Sequence, residues 1–252
     1  MITRFSVVGS LACVFALIAG SAAGASINHG DYSGDTVDFL GVAEGTLDPN
    51  AQFGAPTLSD DALAFTPSLF LAESKLGVPV LQFVDVQLEM QIKAKPGYYL
   101  DEINYSEGGD FTLDSGLVAP GQAQVQVAVP ARLKILEVDG VGIAPVSVNL
   151  QATFSPNANG VFSLPSDQGV GKFWDGVVSF DLAALGYSKA TLVSLTIDDS
   201  LLAKSDLNGI AFIRKKSADV TVSTVPIPEP GTLCLLGVAG LMGLGVFLRK
   251  KS

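Results

Sequence analysis

Nine residues from Val84 to Ile92 alternate without a break. Val84, Val86, Leu88, Met90 and Ile92 share one parity, and Asp85, Gln87, Glu89 and Gln91 share the other. Successive side chains of an extended strand point to opposite faces, so the segment has one apolar and one wet face. Such a segment belongs in an antiparallel sheet packed on one side. The pattern returns at Val125, Val127 and Val129, at Val146, Val148 and Leu150, and at Val220 and Val222. Thr36–Val42, Tyr98–Tyr105, Arg132–Val138, Val177–Leu182, Thr191–Ile197 and Gly209–Arg214 are further strand candidates. Turn chemistry falls at Lys95-Pro96-Gly97, Gly108-Gly109-Asp110, Pro120-Gly121, Asp139-Gly140, Pro156-Asn157 and Asn208-Gly209. Only Ser200–Asp206 and Asp60–Ala64 offer a turn or two of helical pattern. Roughly ten strands with no alternation of strand and helix predict an all-β fold, a single antiparallel β-sandwich or jelly roll over residues 26–225.

The two ends have a different character. Residues 1–25 carry Arg4, an apolar core from Phe5 to Ile18, and then small residues. Ala23 and Ala25 sit at the spacing that signal peptidase reads, which predicts cleavage before Ser26. At the other end, seventeen residues without a charge, Thr232–Leu248, are followed by Arg249, Lys250 and Lys251. A helix of that length spans about 26 Å, the short end of a membrane crossing. The basic cluster acts as a positive-inside stop signal and leaves the preceding chain outside. Gly237, Gly240, Gly243 and Gly245 suit close helix packing against a membrane partner.

Pro228-Glu229-Pro230, the Gly/Leu-rich span and the terminal basic cluster, in that order, resemble the PEP-CTERM sorting signal of Gram-negative bacteria. The resemblance covers residues 226–252. It implies an exosortase as partner, an inner-membrane precursor held by the C-terminal helix, and removal of that helix. Delivery to the cell surface, outer membrane or extracellular matrix follows, in company with exopolysaccharide.

Charge and composition narrow what the folded part does. Cys13 and Cys234 both lie in the terminal apolar stretches, and His29 is the one histidine. Thiol catalysis, Cys/His zinc sites and a disulfide framework are therefore excluded from residues 26–225, as is any Ser/His/Asp triad without His29. Arg4 and Arg249–Lys251 are four of the fifteen basic residues, so residues 26–230 hold eleven against 25 acidic ones, a net charge of −14. Such a surface repels nucleic acid and anionic lipid.

Carboxylates are the plentiful catalytic groups. Asp85 and Glu89 share a strand face but stand about 13 Å apart. A glycosidase, which needs two carboxylates about 5–10 Å apart, requires a partner such as Glu137 or Asp139. A solvated strand face is the preferred account of these residues, and no catalytic residue is assigned. Calcium would draw on Asp31, Asp35 and Asp38, or on Glu107 and Asp110, but neither set has an EF-hand spacing, and solvated turn residues are the default reading with no metal assigned. The sole tryptophan, Trp174, lies with Asp175 in a segment that reads as a loop; such a ring more often plugs the end of a sandwich core, and an aromatic platform beside a carboxylate, a sugar-binding arrangement, is the alternative. Phe53 and Phe70 are expected in the core, and one of Tyr98 and Tyr99 faces out. His29 is expected to be disordered, and Arg214-Lys215-Lys216 to charge a sheet edge. The functional expectation is an exported, non-enzymatic surface or matrix protein associated with exopolysaccharide. A carbohydrate-binding module and a glycoside hydrolase are the alternatives.

Overall fold

The Val84–Ile92 alternation lies inside a longer strand whose Val86, Leu88, Met90 and Ile92 side chains are buried. A computed structural model describes residues 25–46, 52–115 and 120–228. The described residues form fifteen strands and no helix. They are β1 (Ala25–Ser33), β2 (Val37–Thr46), β3 (Thr57–Ser59), β4 (Ala62–Phe65), β5 (Leu71–Lys75), β6 (Leu81–Ala94), β7 (Tyr98–Ser115) and β8 (Ala123–Ala128). Then come β9 (Pro130–Val138), β10 (Val141–Gln151), β11 (Thr153–Ser155), β12 (Val161–Ser163), β13 (Gly169–Asp181), β14 (Ala190–Ser205) and β15 (Gly209–Pro226).

Every pairing is antiparallel, in two sheets. The first runs β1-β2-β6-β14-β8-β12, with β9 also on β14 and β10 on β9. The second runs β11-β13-β7-β15-β4-β3, with β5 also on β15. Inward residues of both sheets form one apolar cluster, in which Leu88, Ile92, Leu195 and Ile197 of the first sheet join Ile103, Phe111, Phe180 and Val220 of the second. Phe53 and Phe70 are core, as expected; Phe53 meets Phe65 and Phe70 edge to face. Tyr99 is buried while Tyr98 is partly exposed.

Several local expectations are overturned by tertiary pairing. Ser200–Asp206 is the end of β14 rather than a helical turn, because Leu201 and Ala203 continue the strand's buried parity. Asp60–Ala64 is a tight turn entering β4. Gly108-Gly109-Asp110 lies within β7 and makes no turn. The β10 alternation is present, but β10 pairs with β9 alone, so its apolar side is half covered: Val146 and Leu150 are exposed. Asp139-Gly140 does turn the chain from β9 to β10, with φ values of 54° and 73°. Two successive positive φ angles define the hairpin turn that Asp-Gly favours.

Candidate functional site

Strand parity decides where the Phe173-Trp174-Asp175 segment points. It is not a loop: β13 runs through it, pairing Phe173, Trp174 and Asp175 with Asp110, Gly109 and Gly108 of β7. Trp174 is on the inward parity and is 1% exposed, whereas Phe173 is 73% exposed and Asp175 faces solvent beside it. The indole occupies the space that a side chain at position 109 would fill. A Cβ at Gly109 would lie 2.9 Å from two indole ring atoms and 1.9 Å from the Arg214 carbonyl oxygen. Phe154 meets the indole edge to face at 6.3 Å. The ring is therefore a core plug, the more usual place for such a tryptophan, although on a strand and not a loop, and the outward aromatic is its neighbour Phe173.

The outer surface near Phe173 is charged. Lys216 Nζ sits 5.5 Å from the Phe173 ring centre and bonds Asp110 Oδ2 at 2.5 Å. Arg214 Nε and Nη2 donate to the two Asp110 oxygens at 2.8 and 3.1 Å. These cations hold the Asp110 carboxyl below its ordinary pKa, the Arg214 hydrogen bond contributing most. Glu107 is buried against Lys215. The calcium set Glu107–Asp110 is thus already neutralised by protein cations, and the two side chains point to opposite faces of β7. Near the start, Asp31 accepts from the Gly41 amide and Asp38 from the Ser33 hydroxyl. Among the described residues no group of three or more potential ligands converges as a metal site.

The outer face of the first sheet supplies a carboxyl pair that strand spacing alone did not reveal. Asp85 of β6 and Asp198 of β14 lie diagonally across the register, Ser200 facing Asp85 and Asp198 facing Gln87. Asp85 is raised to a pKa of about 6, first by desolvation, then by the charge of Asp198 and the hydrogen bond between the two. Desolvation raises Asp198 too, while the Asp85 hydrogen bond and Arg132 oppose it. The partners suggested by sequence are elsewhere. Glu137 faces Leu192 of β14, whereas Glu89 faces Thr196 from the other side of the same strand. Four residues along the strand are about 13 Å, and two strand spacings add nearly 10 Å across it. Asp139 is held at its turn by the Tyr99 hydroxyl at 2.6 Å and Lys189 at 3.5 Å.

His29 is ordered, contrary to expectation. It lies in β1 with its Nε2 2.7 Å from Glu44 Oε1. Glu44, fully buried, also accepts the backbone amides of Gln52, Phe53 and Gly54 at 2.8, 2.9 and 3.2 Å. One carboxylate thereby fastens the chain after β2 onto the sheet. A cleft of about 740 Å³ at one end of the strands is lined by Gln122, Gln124, Lys204 and Asp206, and it holds none of the expected site residues.

β15 carries the fold up to Pro226, and the Ile227 amide still donates to the Gly97 carbonyl at 2.8 Å. Residues 226–251 match the family model of the PEP-CTERM protein-sorting motif. The chain carries that sorting signal. PEP-CTERM tails mark exported proteins of Gram-negative bacteria that are processed at the membrane, with an exosortase as processing partner. The PEP-CTERM motif begins at the last residue of β15, so the sheet runs into the signal without a spacer. Pro228 lies at the limit of the described residues; Glu229, Pro230, the helix expected over Thr232–Leu248 and Arg249, Lys250 and Lys251 lie outside them. Residues 1–24 of the expected signal peptide, Ala23 among them, also lie outside. Ala25 and Ser26 open β1, so cleavage before Ser26 trims that strand by one residue.

No curated protein matches this sequence. Two solved structures show weak likeness. The enzymatically active domain of bacteriophage CBA120 tailspike protein 4 aligns with 79% of this chain at 11% identity and a TM-score of 0.21. A structure of infectious bursal disease virus Gt strain aligns with 82% at 12% identity and a TM-score of 0.17. The chain spans 19% of the first and 61% of the second.

Proposed function

We propose that this exported, exosortase-processed protein is a non-enzymatic component of the cell surface or extracellular matrix, associated with exopolysaccharide. The observation that carries the reading is the direct run of β15, a central strand, into the PEP-CTERM motif. What leaves the membrane is then the sandwich itself, and its surface does the work. The carboxyl geometry supports a non-enzymatic role. A glycosidase holds two carboxylates about 5–10 Å apart across the sugar. Glu89 and Glu137 stand too far apart for the same chemistry.

A second reading, a carbohydrate-binding module, has one observation in its favour. Phe173 offers an exposed ring on a flat strand face, with Asp175 beside it and Lys216 over it. Flat rings beside hydrogen-bonding groups suit sugars. The two readings separate by fractionating the native host and testing the purified mature protein on glycans. The structural reading expects recovery in the surface or matrix fraction, no selective glycan binding and no release of reducing sugar. Selective binding lost in Phe173→Ala with an unchanged melt would transfer the assignment to the module. Release of reducing sugar would overturn both.

A further inference from the structure

Three ionisable side chains that this function leaves unused meet between the two sheets. Lys215 of β15, Glu107 of β7 and Asp199 of β14 are all fully buried, and the Lys215 ammonium contacts a carboxyl oxygen of each acid. The Tyr105 hydroxyl lies 2.8 Å from Glu107 Oε2 and 2.9 Å from Asp199 Oδ2, and Lys215 Nζ is 3.1 Å from the phenol oxygen. Phe53 and Phe70 close over the lysine, with ring centres 5.0 and 4.9 Å from Nζ. The other carboxyl oxygens, Glu107 Oε1 and Asp199 Oδ1, are buried with no hydrogen-bond partner.

One ammonium facing two carboxylates leaves an excess negative charge in an apolar core. Buried ions are tolerated only when their lone pairs and protons are matched, and here two oxygens are unmatched. Burial also lowers the Lys215 pKa to about 8, against the opposing pull of Glu107, so the neutral, nucleophilic amine is accessible near neutral pH. We propose that Lys215 Nζ and the Asp199 carboxyl condense to an intramolecular amide that ties β15 to β14 across the two sheets, with Glu107 as the proton carrier.

The step balances without any co-reactant. Glu107 takes a proton from the Lys215 ammonium, and the freed lone pair forms a bond to Asp199 Cγ. The tetrahedral centre then loses one former carboxyl oxygen as water, its protons delivered from the amine through Glu107. The ammonium and the carboxylate are replaced by one amide and one water, and Glu107 ends as it began, facing the new N–H. Asp199 rather than Glu107 is the acyl partner because of where each sits. Lys215 and Glu107 are on neighbouring strands of one sheet, which places Glu107 beside the amine as a base, while Asp199 approaches from the opposite sheet.

The linkage does not depend on where the protein is sent, and a tryptic digest of the full chain from its host reads it directly. Unlinked protein yields the linear peptide 190–204 and cleavage after Lys215. Linked protein yields peptide 190–204 carrying a Lys215-Lys216 stub, lighter by one water than the two parts, with fragment ions placing the branch at Asp199 and not Asp198. Glu107→Gln, which keeps the side-chain volume, should retain a β-rich circular dichroism spectrum and lose the branched peptide. A wild-type digest containing only the linear peptides overturns the proposal, as does a branch at Glu107. Complete linkage in Glu107→Gln overturns the role given to Glu107.

Discussion

Replacing Trp174 with alanine separates a core plug from a sugar platform, and the structure sets the size of the effect. The indole is buried against Gly109 and Phe154, on the middle of a paired strand. Truncating a buried Trp to Ala costs about 3–5 kcal/mol, more where the surroundings cannot collapse into the cavity. Here the floor of the cavity is backbone of β7, fixed between β13 and β15, so collapse is limited. The indole Nε1 has no hydrogen-bond partner, so no buried bond is lost with it. The expected loss is about 4 kcal/mol, a urea midpoint lower by about 1.5 M or a melting temperature lower by about 8–16 °C. Circular dichroism must follow the variant, because Trp174 is the sole tryptophan. Trp174→Phe should lose less, since a ring remains and the unpaired N–H is gone. A midpoint within about 0.3 M of wild type, given a slope of about 2–3 kcal/mol per M, would falsify the core assignment.

Other perturbations have equally definite outcomes. Glu44→Ala strands the amides of Gln52, Phe53 and Gly54, each worth about 1–3 kcal/mol when left unpaired, so it should lower stability by more than about 3 kcal/mol and speed proteolysis near Phe53. Asp85 has a folded pKa of about 6, above its ordinary 3.8. Its contribution is therefore complete below the unfolded pKa and lost as pH rises through about 6. Asp85→Asn should melt like wild type at low pH and above it at pH values well beyond 6, and a constant difference at all pH would refute the pairing. Changing Pro228-Glu229-Pro230 to alanines should leave export intact and accumulate full-length precursor in the inner-membrane fraction.

The sheet was legible where alternation is local. Val84–Ile92 predicts both the strand and its buried face, because each residue's environment is set by its own parity. The Gly108-Gly109 pair has the local chemistry of a turn, but its reason lies 65 residues away in the packing of Trp174 over Gly109. The loop expected at Phe173-Trp174-Asp175 has the same origin: Phe173 and Trp174 differ only in parity, and the glycines around them mask the strand. The buried ions are marked in the sequence by the same parity. Lys215 continues the inward run of Ala211 and Ile213, Asp199 that of Leu195 and Ile197, and Glu107 that of Ile103 and Tyr105. A charged residue on a core parity marks a buried partner. The basic run Arg214-Lys215-Lys216 was instead expected to charge an edge, although β15 lies inside its sheet and only the flanking two residues face out. The pairing of Asp198 with Asp85 is not legible in the sequence, because it depends on register between strands more than 100 residues apart.

The account rests most heavily on removal of the C-terminal tail after export. Mass spectrometry of the mature protein from its native host tests this directly. The expected product begins at Ser26 and ends upstream of the Thr232–Leu248 span. In a host without an exosortase, the same chain should keep its C-terminus. Mature native protein that still carries Arg249–Ser252 would contradict the account and make the tail a plain membrane anchor.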